Sequence, residues 1–233
     1  MRVLVGTSGF SYKQWKGSFY PSEIKEAGML RFYAERFPSV EINNTFYRMP
    51  QTQVLERWAD ETPGDFSFVL KAPRRITHTK RLGEVSDPVS YFFNAAAALG
   101  PKRGPVLFQL PPFLAKDMGR LRAFLGLLPP APCAALEFRH ATWFDDEVYQ
   151  ELRAHGAALC QADTDDAPVA AIVPTARFGY LRLRRLEYGD DELRAWAGRI
   201  RAQPWDVAYV FFKHEDEGRG PDLARRLLQV LET

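Results

Sequence analysis

A chain of 233 residues, 46% hydrophobic and 26% charged, has the material for a full core and is short for two ordinary α/β domains. Its formal net charge of +2 is too small to demand a nucleic acid or an acidic membrane surface as partner. No stretch approaches the roughly 18 uninterrupted apolar residues of a membrane span, and the opening MRVLVGTSGF lacks the apolar region and cleavage site of a secretory signal, so a single cytoplasmic domain over 1–233 is expected.

Short apolar runs alternate with helical patterns along most of the chain. RVLVG (2–6) is followed by SEIKEAGMLRFYAERF, where Ile24, Met29, Phe32, Tyr33 and Phe37 recur at helical spacing and Ser22 is a candidate N-cap. SVEIN (39–43) leads to QVLERWADE, with Thr52 as candidate cap and Pro63-Gly64 as its stop. FSFVLKA (66–72) precedes SDPVSYFFNAAAALG, which has Pro just inside its start and Gly at its end, the asymmetry of a helix. PVLFQL (105–110) and AALEFR (134–139) come next, then the acid-first pattern DDEVYQELRAHG and the run AALCQAD (157–163). YLRLR (180–184), the acid-first DDELRAWAGRIRA, VAYVFFK (207–213) and GPDLARRLLQVLE complete the chain.

Eight such runs, apolar and rich in β-branched and aromatic residues, fit strands covered on both faces. Eight βα units within about 250 residues predict an α/β fold of the TIM-barrel-like (β/α)8 kind. The sixth unit is expected to be irregular, because TDDAPVAAIVPTARFG has two prolines and no helical pattern. An open doubly wound sheet is the competing architecture.

Catalytic groups of such barrels lie at the C-terminal ends of the strands, and here polar residues fall there. Thr7 and Ser8 follow the first run. Glu41 and Asn43 end the second, Lys71 the third, Gln109 the fourth, Glu137 and Arg139 the fifth. Gln161 and Asp163 end the sixth, Arg182 and Arg184 the seventh, Lys213 the eighth. Strand alternation puts the members of each pair on one face, so one choice of inward face is expected to converge them all. Asn44, on the opposite parity, reads as a loop-initiating residue.

Lys71, Arg139, Arg182, Arg184 and Lys213 make a cationic mouth suited to a carboxylate or phosphate. Glu41, Lys71, Glu137 and Asp163 are the candidate catalytic groups, with pKa values separated by their neighbours. An enzyme for a small anionic or polyhydroxylated molecule is the expectation, with its cofactor left open. Two other readings stand beside it. A divalent-metal isomerase or hydrolase would use Glu41, Glu137, Asp163 and His214, although no local spacing assigns any metal ligand, and Cys133 and Cys160 stand apart as reduced core residues. A non-catalytic nucleotide or nucleic-acid binder would use the basic loop KAPRRITHTKRL (71–82), with His78 able to titrate, and stacking by Phe10, Tyr12, Trp15 and Tyr47.

The motifs GTSGFSYKQWKGSFYP, EINNTFYRMP, KAPRRITHTKRL, FQLPP and EFRHATWF resemble, in order and along almost the whole chain, the YecE-like family known as domain of unknown function 72. The resemblance implies a TIM-barrel-like fold and no settled reaction. It marks Tyr12, Trp15, Glu41, Asn43, Asn44, Tyr47, Lys71, His78, Gln109, Glu137, Arg139 and His140 as positions of the family pattern. The chain departs from that pattern at Arg184-Arg185, where His-Gly is common, and at Lys213-His214, where an Asn pair is common. Both departures add basic groups to one side of the mouth.

Overall fold

The computed structural model describes residues 1–48, 51–130, 134–213 and 218–232. Eight parallel strands close in chain order: β1 (Arg2–Ser8), β2 (Ser39–Ile42), β3 (Ser67–Lys71), β4 (Arg103–Gln109), β5 (Ala134–Glu137), β6 (Ala158–Asp163), β7 (Phe178–Leu183) and β8 (Val207–Phe212). β1 pairs with both β2 and β8, so the sheet has no edge and the open alternative is excluded.

Alternation divides the apolar residues between two cores. Leu4, Val69, Leu107, Ala135, Cys160, Tyr180 and Phe211 fill the barrel. Their neighbours of opposite parity, Val5, Val40, Leu70, Phe108, Leu136, Leu181 and Phe212, face the helices. This double burial is why the runs read as continuously apolar rather than alternating.

The helices are α1 (Glu26–Ala34), α2 (Thr52–Asp60), α3 (Ser86–Ala96), α4 (Met118–Leu125), α5 (Asp146–Ala154), α6 (Asp190–Arg201) and α7 (Arg219–Glu232). The acid-first pair behaves as its sequence implies: Asp145 accepts from the Val148 N–H, and Glu192 from the Gly189 N–H. The other caps differ. Lys25 and Gln51 hold the N-cap positions of α1 and α2 without a side-chain bond, so Ser22 and Thr52 do not cap. α4 is a helix that no pattern above singled out. Its short apolar set, Leu121, Phe124 and Leu125, is buried, and Asp117 caps it by accepting from Arg120 N–H.

No helix follows β6, as its prolines imply. The 164–177 segment instead returns directly to β7, and α6 follows β7. Among the described residues no helix is long and apolar enough to cross a membrane.

Two glycines permit close approaches inside this frame. At Gly6 a Cβ would stand 2.0 Å from the Ser39 carbonyl oxygen and 2.9 Å from the Tyr33 hydroxyl. That hydroxyl takes the Thr7 N–H at 2.8 Å, tying β1 to α1. At Gly179 a Cβ would stand 2.3–2.5 Å from three atoms of the Trp205 ring, which packs directly against the backbone there.

Candidate functional site

The last inward-facing position of β2 is Glu41, of β5 Glu137 and of β7 Arg182. Apolar layers fill the barrel below them, so all three are almost fully buried, Arg182 being only 2% exposed. One guanidinium satisfies both acids: Arg182 Nη2 donates to Glu41 Oε1 at 2.9 Å and Nη1 to Glu137 Oε2 at 2.7 Å. The remaining lone pairs are also taken. Tyr180 Oη donates to Glu41 Oε2 at 2.7 Å, Asn43 Nδ2 to Glu41 Oε1 at 3.2 Å, and Gln109 Nε2 to Glu137 Oε1 at 2.7 Å. Lys71 Nζ then donates to Gln109 Oε1 at 2.8 Å, completing a chain of polar contacts across five strands.

Charge follows from this geometry. Burial pushes the Glu41 carboxyl up, but Arg182, Tyr180 and Lys71 outweigh it and hold the group below the usual carboxylate range. Burial acts likewise on Glu137, and Arg182, Gln109 and Arg184 hold it low. Both are carboxylates at neutral pH, already paired. The cations above them fare differently. Burial and the nearby Arg182 push the Lys71 ammonium down to about 8, against the pull of Glu41 and Glu137. Burial and Arg182 also lower Arg184, whose nearest carboxylate oxygen, on Glu137, is 3.9 Å away. Among the described residues, positive charge therefore exceeds negative where the strands end.

These ends open into a cavity of about 360 Å³. Lys71, Arg139, Arg182, Arg184 and Lys213 line it with Gln109, Asn43 and Tyr12, and among the described residues no acidic one does. The Phe46 ring lies 4.5 Å from Lys71 Nζ, and Tyr47, 81% exposed, forms the rim. Tyr12 is fixed by donating to the Ser8 carbonyl at 2.7 Å. His78 stands behind Phe46, its ring edge-on at 5.0 Å. Burial, Lys71, Arg74 and Arg139 lower its pKa, so it is neutral at physiological pH rather than poised to switch.

Three expectations need correction. Asp163 and Gln161 do not join the mouth. The register pairs Ala162 with Arg182 and Cys160 with Tyr180, so Ala162 and Cys160 point inward while Gln161 and Asp163 point outward. There they hold the 164–177 segment: Asp163 accepts from Val169 N–H and Tyr188 Oη, both at 2.8 Å, and Gln161 bonds Ala171 and Val173. Trp15 is not available for stacking. It is fully buried in the outer core, against Tyr12, Phe19 and Tyr20. The metal set does not assemble either. Glu41 and Glu137 are bridged by Arg182, Asp163 faces away, and among the described residues no group of three His, Cys, Asp or Glu could hold an ion. His214 lies outside the described residues, as does Cys133.

Sequence reasoning also missed contributors. Asn44 and Phe46 line the cavity. β2 ends at Ile42 and the chain enters a 3₁₀ turn at Asn44–Phe46, so strand parity stops applying two residues before Asn44. Tyr180, a plain core aromatic in sequence, is the hydroxyl partner of Glu41. Its position one alternation below Arg182 was the available signal.

A family model described as a protein of unknown function, DUF72, matches residues 4–233. UPF0759 protein YunF of Bacillus subtilis (strain 168) is 33% identical, with 99% of this chain and 95% of that protein covered. UPF0759 protein YecE of Escherichia coli O157:H7 is 33% identical over 176 residues, 74% of this chain, and the match spans 62% of that relative's length. A solved DUF72 family structure from Thermotoga maritima MSB8 superposes with a TM-score of 0.82 at 27% identity, covering all of both chains. One from Enterococcus faecalis V583, at 18% identity and a TM-score of 0.80 over 99% and 96% of the two chains, shares the fold.

Proposed function

The chain belongs to the DUF72 family, a family of unknown function, and from that premise we propose that its barrel mouth binds a small substrate bearing a carboxylate or phosphate, on which Lys71 moves a proton. The observation that carries this reading is the composition of the cavity: among the described residues that line it five are cations and none is an acid, and the two carboxylates beneath are already committed to Arg182. Arg139 and Arg184 offer planar forks to an anion. Glu41 and Glu137 act as positioning residues that fix Arg182 and, through Gln109, Lys71.

Lys71 suits acid–base work because its pKa of about 8 lies close to neutral pH. An arriving anion favours the ammonium, so binding is coupled to proton uptake above about pH 8, and the bound lysine is held in the protonated form that a proton donor needs.

The test is calorimetric titration of the full chain with inorganic phosphate and with acetate at low ionic strength, repeated on Lys71→Met and Arg184→Met. Losing one charge-assisted hydrogen bond is expected to weaken binding about tenfold or more. If neither anion binds, or both variants bind as the parent does, the reading is wrong.

A further inference from the structure

A second cavity, of about 620 Å³, adjoins the mouth. Arg139 and Arg184 line both, so the two spaces meet at a pair of guanidinium groups. The chambers differ in chemistry. Phe144, Tyr149, Leu159, Ala162, Val169 and Val173 give the larger one apolar walls. Phe138, its ring stacked on Trp143 with centroids 4.6 Å apart, supplies a fixed side.

This chamber exists because the sixth unit has no helix. Where a helix would pack on β6, the 164–177 segment arches over it, and polar side chains hold the arch. Gln161 Oε1 accepts from Val173 N–H at 2.8 Å while its Nε2 donates to Ala171 at 2.9 Å. Asp163 holds Val169 N–H, Arg199 holds the Val169 carbonyl at 2.8 Å, and Thr175 bonds Leu159 N–H at 2.7 Å. So many directed bonds define the arch's shape rather than leaving a collapsible gap. Phe144, at 49% exposure, leaves a large apolar ring open to water beside it.

We infer that the substrate is an amphipathic anion, with its carboxylate or phosphate held at Arg139 and Arg184 and an aryl or medium-length acyl body in the chamber beneath the 164–177 segment. The inference rests on the anion-binding reading of the mouth and adds the substrate class. Its size agrees with the roughly 300–1,000 Å³ of ordinary ligand pockets. The arginine pair at the junction settles orientation: among the described residues, beyond Arg139 and Arg184 the chamber's lining holds no cation and includes the acids Glu137 and Asp166, whereas the mouth adds Lys71 and Arg182.

The test is a homologous series. Acetate, butyrate, hexanoate and octanoate are titrated into the full chain by calorimetry, and into Val173→Phe and Val169→Asp, each checked for folding by thermal denaturation. Each methylene buried is expected to tighten binding by up to about fourfold, so octanoate binds at least tenfold more tightly than acetate. Val173→Phe fills the chamber and Val169→Asp makes it polar, and neither residue lines the mouth. Both are expected to flatten the series while leaving acetate affinity as it was. Phenyl phosphate against inorganic phosphate reports the same preference for an aryl body. If acetate and phosphate bind and respond to Arg184→Met, but affinity is flat along the series or the slope survives both chamber variants, this inference falls and the anion-binding reading stands. If no member of either series binds, both fall.

Discussion

Arg182→Met removes the counter-ion from two buried carboxylates at once. Arg182 lies 2.9 Å from Glu41 and 2.7 Å from Glu137, with all three side chains at most 3% exposed. Removing one partner of a buried ion pair costs about 3–5 kcal/mol. Tyr180, Asn43, Gln109 and the adjacent Lys71 still share the charge, so that range, rather than its double, is expected. For a domain of this size 1 kcal/mol moves Tm by about 2–4 °C, giving a fall of roughly 6–20 °C. The pH dependence fixes the sign. In the parent both folded carboxyl pKa values lie below the unfolded value, about 4.3. The stability they lend is therefore present above 4.3 and is lost as pH falls through the lower folded values. Without Arg182, burial prevails and the folded values move above 4.3. The folded state is then penalised at neutral pH, and relieved as pH falls. Urea denaturation should show the gap between parent and variant widest near pH 7.5 and narrower near pH 5. A gap below about 1 kcal/mol, or one constant across that span, refutes the argument. Adding Glu41→Gln and Glu137→Gln to the variant should recover much of the loss, since no buried charge is then orphaned.

Other consequences follow from the geometry. Asp163→Asn weakens the acceptor for Val169 N–H and Tyr188 Oη, and is expected to cost about 1–3 kcal/mol and to raise amide hydrogen exchange across 164–177. Exchange rising equally at the barrel mouth would contradict its outward placement. Gly179→Ala forces the Trp205 ring off β7 and should cost about 1–3 kcal/mol, with a shift in tryptophan emission; an unchanged spectrum and unchanged denaturation midpoint would be the contrary result. Arg74, Arg75, Lys80 and Arg81 lie outside the cavity lining. Neutralising all four should leave acetate and phosphate affinity unchanged, whereas salt-dependent binding of DNA or RNA by the parent, lost in this variant, would favour the nucleic-acid reading.

The barrel was legible because every strand is apolar on both faces, and the mouth because polar residues interrupt those runs at their C-terminal ends. Parity then placed Glu41, Lys71, Gln109, Glu137, Arg182 and Arg184 correctly relative to one another. It failed on β6 for a physical reason. Where a helix covers a strand, the outward face is apolar and polar residues point in. β6 has no covering helix, so Gln161 and Asp163 serve the outward face, where they hold a loop, and small residues point in. The prolines and missing helical pattern at 164–179 carried that information without revealing its effect on facing. Trp15 and Tyr12 illustrate a second limit. Neighbouring aromatics in one loop look alike in sequence, yet one is buried among Phe19 and Tyr20 while the other lines the cavity. Which one turns inward depends on how the first loop packs against α1, a tertiary fact.

The amine of Lys71 reports most directly on whether the mouth is built for an anion. Its pKa is measured by NMR with ¹⁵Nζ-labelled lysine, assigned through Lys71→Met, in the free protein and at saturating acetate or phosphate. A value of about 8 is expected in the free protein. A clear rise is expected on saturation, with affinity falling as pH climbs through and above 8 and the free ammonium is lost. A free value near the ordinary 10.4 of lysine, or one that an anion leaves unmoved, would contradict the central claim.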